Sequence, residues 1–76
     1  MKPVKFYEVQ SKSTGDVQWG GINPTEAIEW YRRTVDGSIY VSVWDEEDIE
    51  EPVLITDKIE VTPIVLATIL SEQERR

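Results

Sequence analysis

The stretch Asn23 to Trp44, NPTEAIEWYRRTVDGSIYVSVW, decides the fold, because its apolar period changes from that of a helix to that of a strand across one Asp-Gly pair. Asn23 offers an N-cap side chain, Pro24 takes the first helical position and Glu26 puts a carboxylate at the third, so a helix starts here on three counts. Projected at about 100° per residue, Ala27, Ile28, Trp30, Tyr31, Thr34 and Val35 fall within an arc of roughly 160°, while Glu26, Glu29, Arg32 and Arg33 occupy the rest. The pattern predicts a half-buried helix, with Glu29 and Arg33 spaced to pair at i, i+4, ending at Asp36-Gly37. From Ser38 to Trp44 the period falls to two. Ile39, Val41 and Val43 alternate with Tyr40, Ser42 and Trp44, which predicts a strand with one strongly apolar face.

Working outward, Val4 to Gln10 (VKFYEVQ) is rich in aromatic and β-branched residues, and Ser13-Thr14-Gly15-Asp16 supplies turn chemistry before Val17-Gln18-Trp19. A β-hairpin is expected. Gly20-Gly21 is read as a tight bend, since neither the dinucleotide fingerprint nor the P-loop pattern is present around it. On the other side, Val53 to Val61 (VLITDKIEV) is expected to form the second strand of a pair with Ser38 to Trp44, and Asp57-Lys58 in its middle marks a bulge, an edge or a turn. Thr62-Pro63 repeats the cap-then-proline signature. A C-terminal helix is expected from Ile64 into Ser71-Glu72-Gln73-Glu74-Arg75-Arg76, with the arginines at the end its dipole prefers. Its apolar residues, IVLATIL, point nearly all round, more than a thin domain buries on one side, so something else should cover it. Four of those seven are β-branched, which makes a buried strand the competing reading. The summed order is ββαββα: an α+β single domain spanning residues 1–76, two-layered, with an antiparallel sheet and two helices on one of its faces.

The chain is short for such a core. Its 76 residues and 8.8 kDa correspond to roughly 12,800 Å² of surface unfolded and about 4,800 Å² folded, so about 62% is buried. Hydrophobic residues at 39% and charged residues at 30% argue against disorder. The chain has neither His nor Cys, which removes the usual zinc ligands, the thiolate nucleophile, the imidazole base and any disulfide. No cofactor or metal is implied, and a non-enzymatic role is expected: acid–base hydrolysis by carboxylates needs an enclosed cleft that so small a chain rarely builds. The first nine residues lack a signal-peptide apolar run, and Ile64 to Leu70 is far shorter than the roughly 20 residues of a membrane span. A cytoplasmic protein without membrane contact is expected.

The charge is lopsided. Residues 1–38 hold five basic and five acidic groups, and residues 39–76 hold three basic and ten acidic, so the whole net charge of −7 lies in the second half. Six carboxylates fall within seven residues: Asp45, Glu46, Glu47, Asp48, Glu50 and Glu51. As a loop the block is a solvated connection kept polar. Extended at about 3.3 Å per residue it spans roughly 23 Å, and its linear charge density then approaches that of a DNA strand, whose phosphates recur at about 3.4 Å. The block does not fit an EF-hand. Counting from Asp45, Ile49 stands at the fifth position, Glu50 where Gly belongs and Thr56 where the terminal Glu belongs.

Trp44 directly precedes the acids and shares a strand face with Tyr40; aromatic side chains of this kind anchor protein interfaces. Trp30 is expected in the core, and Trp19 and Trp44 each either as a core filler or as an exposed anchor. The expected partner-binding set is Tyr40, Trp44, Asp45, Glu46, Glu47, Asp48, Glu50 and Glu51. The expected partner is a protein with a basic, nucleic-acid-binding surface rather than nucleic acid itself, whose phosphates the acids repel. In size, charge and mixed α+β make-up the chain resembles small acidic phage proteins that block host defence nucleases, some anti-CRISPR proteins among them, a likeness of class that no motif carries. It implies an inhibitor or DNA mimic. The alternative is an assembly role, with the C-terminal helix forming a homodimer and the acids only keeping it in solution.

Overall fold

The computed structural model describes residues 2–74. Their order is β1 (Pro3–Ser11), β2 (Val17–Gly21), α1 (Pro24–Arg33), β3 (Gly37–Asp45), β4 (Val53–Val61) and α2 (Pro63–Glu74). The strands form one antiparallel sheet in the order β2-β1-β3-β4. The expected ββαββα arrangement is present as an α+β domain, and the segment from Ile64 to Leu70 is helix, not strand.

Local chemistry explains each boundary. The β1–β2 hairpin closes through Ser11 N–H to Asp16 O (3.1 Å) and Gly15 N–H to Ser11 O (2.7 Å), with Gly15 at φ 76, where a side chain would be strained. Asn23 Oδ1 caps α1 by accepting from Thr25 N–H (2.9 Å) and Glu26 N–H (3.3 Å). At the other end Thr34 leaves the helix. Its N–H reaches Trp30 O and Tyr31 O, and its hydroxyl donates to Trp30 O (2.7 Å). That early stop puts Val35, expected on the buried arc, in the connection to β3 with 83% of its surface exposed. Glu29 and Arg33 make no ion pair among the described residues; the Arg33 guanidinium instead lies 6.0 Å from the Trp30 ring centroid. Thr62 caps α2 through its hydroxyl, which accepts from Val65 N–H (3.2 Å). The expected basic end of α2, Arg75 and Arg76, lies outside the described residues.

Gly20-Gly21 is not a bend. Both residues are extended at the end of β2, paired with Glu8 and Tyr7. A Cβ on Gly21 would sit 2.7 Å from Trp19 Cζ2, so the glycine is there because the Trp19 ring folds back over it. Asp57-Lys58 does mark a bulge, and on an edge strand: the β3–β4 register slips between Val41 and Val43 and again between Val43 and Trp44.

Strand pairing sorts side chains into two faces. One carries Tyr7 and Val9 of β1, Val41 and Ile39 opposite them on β3, and Ile59 and Val61 of β4. Both helices cover this face. Tyr7, Val9, Ala27, Ile39 and Leu66 are the buried core, with Trp19, Ile28, Trp30, Tyr31, Val41 and Val61 packed against it. Trp30 and Trp19 thus serve the core, each half-buried. The other face carries Val4, Phe6, Glu8 and Gln10 against Trp44, Ser42, Tyr40 and Ser38, and no helix lies over it.

Packing dominates the energetics. The ion pairs Lys58–Glu8 (2.9 Å) and Lys12–Glu60 (3.0 Å) are about half exposed on their lysines and contribute about 0.2–1 kcal/mol each. Truncating a fully buried isoleucine costs about 2–5 kcal/mol, a large share of the roughly 4–11 kcal/mol available to a domain of this length. Ile39 has no exposed surface. Ile39→Ala is therefore expected to lower unfolding free energy by about 3 kcal/mol in urea, several times the effect of Lys12→Met.

Candidate functional site

The acidic block joins β3 to β4 as a hairpin loop, not an extended rod. Asp45 pairs with Val53 across the two strands, so the chain turns fully back between them. The spacing argument from a single DNA strand therefore does not describe this loop. Two aspartates fold it. Asp45 Oδ1 accepts from Lys2 N–H and Glu47 N–H, both at 3.0 Å, and Asp48 Oδ1 accepts from Glu50 N–H at 3.1 Å. Such turns are the ordinary behaviour of Asp beside free backbone donors. The Lys2 and Glu47 amides hold the Asp45 carboxyl below its usual range. A further bond, Glu46 N–H to Lys2 O (2.9 Å), ties the chain's beginning to the loop.

Glu47, Asp48, Glu50 and Glu51 are exposed; Asp45 and Glu46 are half-buried. Two ion pairs of the described residues lie away from the loop. Lys58 and Lys12 are bound to Glu8 and Glu60 on the helix-free face, and in each case the hydrogen bond to the carboxylate raises the lysine's pKa. Glu8 is correspondingly lowered by Lys58. Glu46, Asp48, Glu50 and Glu51 make no ion pair among the described residues.

Trp44 stands at the acidic end of the helix-free face, directly across from Val4 on one side and Leu54 on the other. With Phe6, Glu46 and Pro52 it lines a shallow cleft of about 290 Å³. Phe6 is 37% exposed and Leu54 40%. The structure thus brings Trp44 together with the acidic loop through Glu46. Tyr40 is placed apart. It occupies the same face two alternations further along β3, paired with Glu8 and Glu60, and so belongs to the network of Lys58–Glu8, Lys12–Glu60 and the Gln10 amide that donates to Glu8 (3.0 Å). Phe6, Pro52 and Leu54 were not identified from the sequence. The facing of Phe6 depends on the β1–β3 register, which joins segments more than thirty residues apart.

Among the described residues no group of three acidic side chains could hold a metal ion, and no helix is long and apolar enough to cross a membrane. No family model matches this chain, and neither the curated proteins nor the solved structures contain a match to it.

What the arrangement can do follows from its parts: an aromatic cleft with a carboxylate at its rim, set beside a loop of fixed anions. Loop order should depend on Asp45. Because its carboxyl is lowered, the ionised form supports the loop above the unperturbed value, about 3.9, and that support is lost as pH falls through the lower, native one. Asp45→Ala is expected to speed amide exchange at Glu47 and Lys2 by NMR at neutral pH, and Asp45→Asn, which keeps an acceptor oxygen but loses the charge, to speed it by a smaller factor.

Proposed function

We propose that this protein is a non-enzymatic interaction module that docks on a basic protein surface, as an inhibitor or adaptor, through its acidic hairpin loop and the Trp44–Phe6 cleft. The observation that carries this reading is the cleft lined jointly by Phe6, Trp44, Glu46 and Pro52, which places aromatic faces and a carboxylate within reach of one cation. A guanidinium or ammonium entering it meets ring faces, with about 0.5–2 kcal/mol to gain depending on desolvation, and a counter-ion in Glu46. Arginine suits it best, because its planar group stacks on rings and forks onto carboxylates. The surrounding anions of Asp48, Glu50 and Glu51 speed encounter and set orientation more than they add affinity. A partner whose cationic surface ordinarily holds phosphates offers the complementary charge, and occupying that surface would block it. The same charges oppose direct contact with nucleic acid.

A short oligoarginine peptide tests this by titration against intrinsic fluorescence. Neutralising the loop with Asp48→Asn, Glu50→Gln and Glu51→Gln is expected to weaken binding about tenfold at low salt, at about 0.5 kcal/mol per exposed charge. Neutralising Asp16, Glu26 and Glu29 changes net charge equally and is expected to have little effect. Trp44→Ala should weaken binding about fivefold. Equal losses from both neutralised sets, or an indifferent Trp44→Ala, would contradict a defined docking face.

A further inference from the structure

The opposite face of the sheet is unfinished. The accessible surface is 5559 Å², whereas a compact monomer of this mass has about 4,800 Å². The radius of gyration is 13.1 Å against roughly 11.4 Å expected for the length. The molecule is a plate only 16 Å through its thinnest dimension. The surplus belongs to the whole surface, but at roughly 800 Å² it is of the order that each partner contributes to an interface of standard size.

The exposed apolar side chains are concentrated. Among the described residues eleven large hydrophobics stand exposed; besides Leu54, which lies opposite Trp44 on the helix-free face, five of them come from β4 and α2: Val53, Ile55, Ile59, Ile64 and Val65. Helix α1 lies over β1, β2 and β3, while α2 packs chiefly on α1, so on the helix side of β4 Val61 is covered but Ile59 is left open. There an apolar groove of about 160 Å³ runs between the sheet and α2, lined by Tyr7, Val41, Val43, Ile59 and Leu66 among others, with Lys5 its only charged wall. The turn of α2 that carries Leu66 also presents Ile64, 79% exposed, and Val65, 48% exposed.

We infer that this face is covered by a second copy of the chain, in a twofold homodimer. A groove and an apolar ridge adjacent on one surface are self-complementary under a twofold rotation, the ridge of each protomer entering the groove of the other. A continuous sheet through β4 is the less favourable route, because the bulges at Ile55 and at Asp57-Lys58 break the regular edge. The dimer leaves both acidic loops and both Trp44 clefts on outward faces. It does not depend on the docking proposal, and the two respond to salt in opposite directions. Screening weakens attraction to a cationic partner but relieves repulsion between two chains of charge −7.

Sedimentation equilibrium from micromolar to millimolar concentration, at low and high salt, tests it. The expected result is a monomer–dimer equilibrium that tightens with salt and a melting temperature that rises with concentration. Ile64→Glu, on a side chain too exposed to matter to the protomer's own fold, should weaken dimerisation by about tenfold or more, and Ile59→Thr should weaken it in the same direction. Ile49→Glu, at a residue 83% exposed in the acidic loop, should leave it unchanged. A monomer at millimolar concentration, or a dimer indifferent to both Ile64→Glu and Ile59→Thr, would overturn the inference.

Discussion

Val9 and Ile39 lie side by side on β1 and β3 with no exposed surface, and the contact of this pair with Ala27 and Leu66 is the constraint on which the rest depends. It joins the two central strands, brings α1 down on them through a residue small enough for close approach, and fixes the first turns of α2. Because the side-chain period of a strand is two, that one pairing also decides every other facing on β1 and β3. A slip of one residue would bury Glu8 and Tyr40 and expose Tyr7 and Val41.

From this follows the division of labour between faces. Apolar burial is concentrated on one side, where Tyr7, Val9, Ala27, Ile39 and Leu66 form the core among the described residues. The other side keeps water, and its charged side chains are joined by one ion pair between β1 and β4 and another between the β1–β2 turn and β4. Those pairs hold Lys58 over the sheet and Lys12 at its far end, away from the acidic loop. The negative charge of the second half therefore remains concentrated at one end of the plate, beside Trp44, instead of being neutralised by those two lysines.

Much of this was legible in the residues because the deciding signals are local. The Asn23-Pro24 cap, the alternation from Ile39 to Val43, the Gly15 turn and the interruption at Asp57-Lys58 each act within a few positions, and each has its expected counterpart in the fold. What escaped depends on pairings distant in sequence or on one side chain's path. Val35 fitted the helical arc, but the Thr34 hydroxyl and amide close the helix two residues early. Gly20-Gly21 resembled a bend until the Trp19 ring was seen lying over Gly21. Tyr40 and Trp44 share a face as the alternation required, yet only the register with Glu8 and Glu60 separates Tyr40 from the acidic end. Phe6 could not be assigned to the cleft, since neither face of VKFYEVQ is uniformly apolar and only β3 tells which is which. The acids themselves read as a charge block, and the two aspartates that fold it into a hairpin became distinguishable from the glutamates only through their hydrogen bonds.

The two-faced sheet is the claim on which the rest stands, and adjacent residues test it most directly. Phe6 and Tyr7 are neighbours in the chain with rings of similar size; Phe6 is 37% exposed on the helix-free face and Tyr7 only 6% exposed in the core. Hydroxyl-radical footprinting of the dilute protein, read by mass spectrometry at each residue, should modify Phe6 several times faster than Tyr7, with Trp44 reactive and Ile39 protected. Equal modification of Phe6 and Tyr7, or faster modification of Tyr7, would contradict the register and with it the separation of core from docking face.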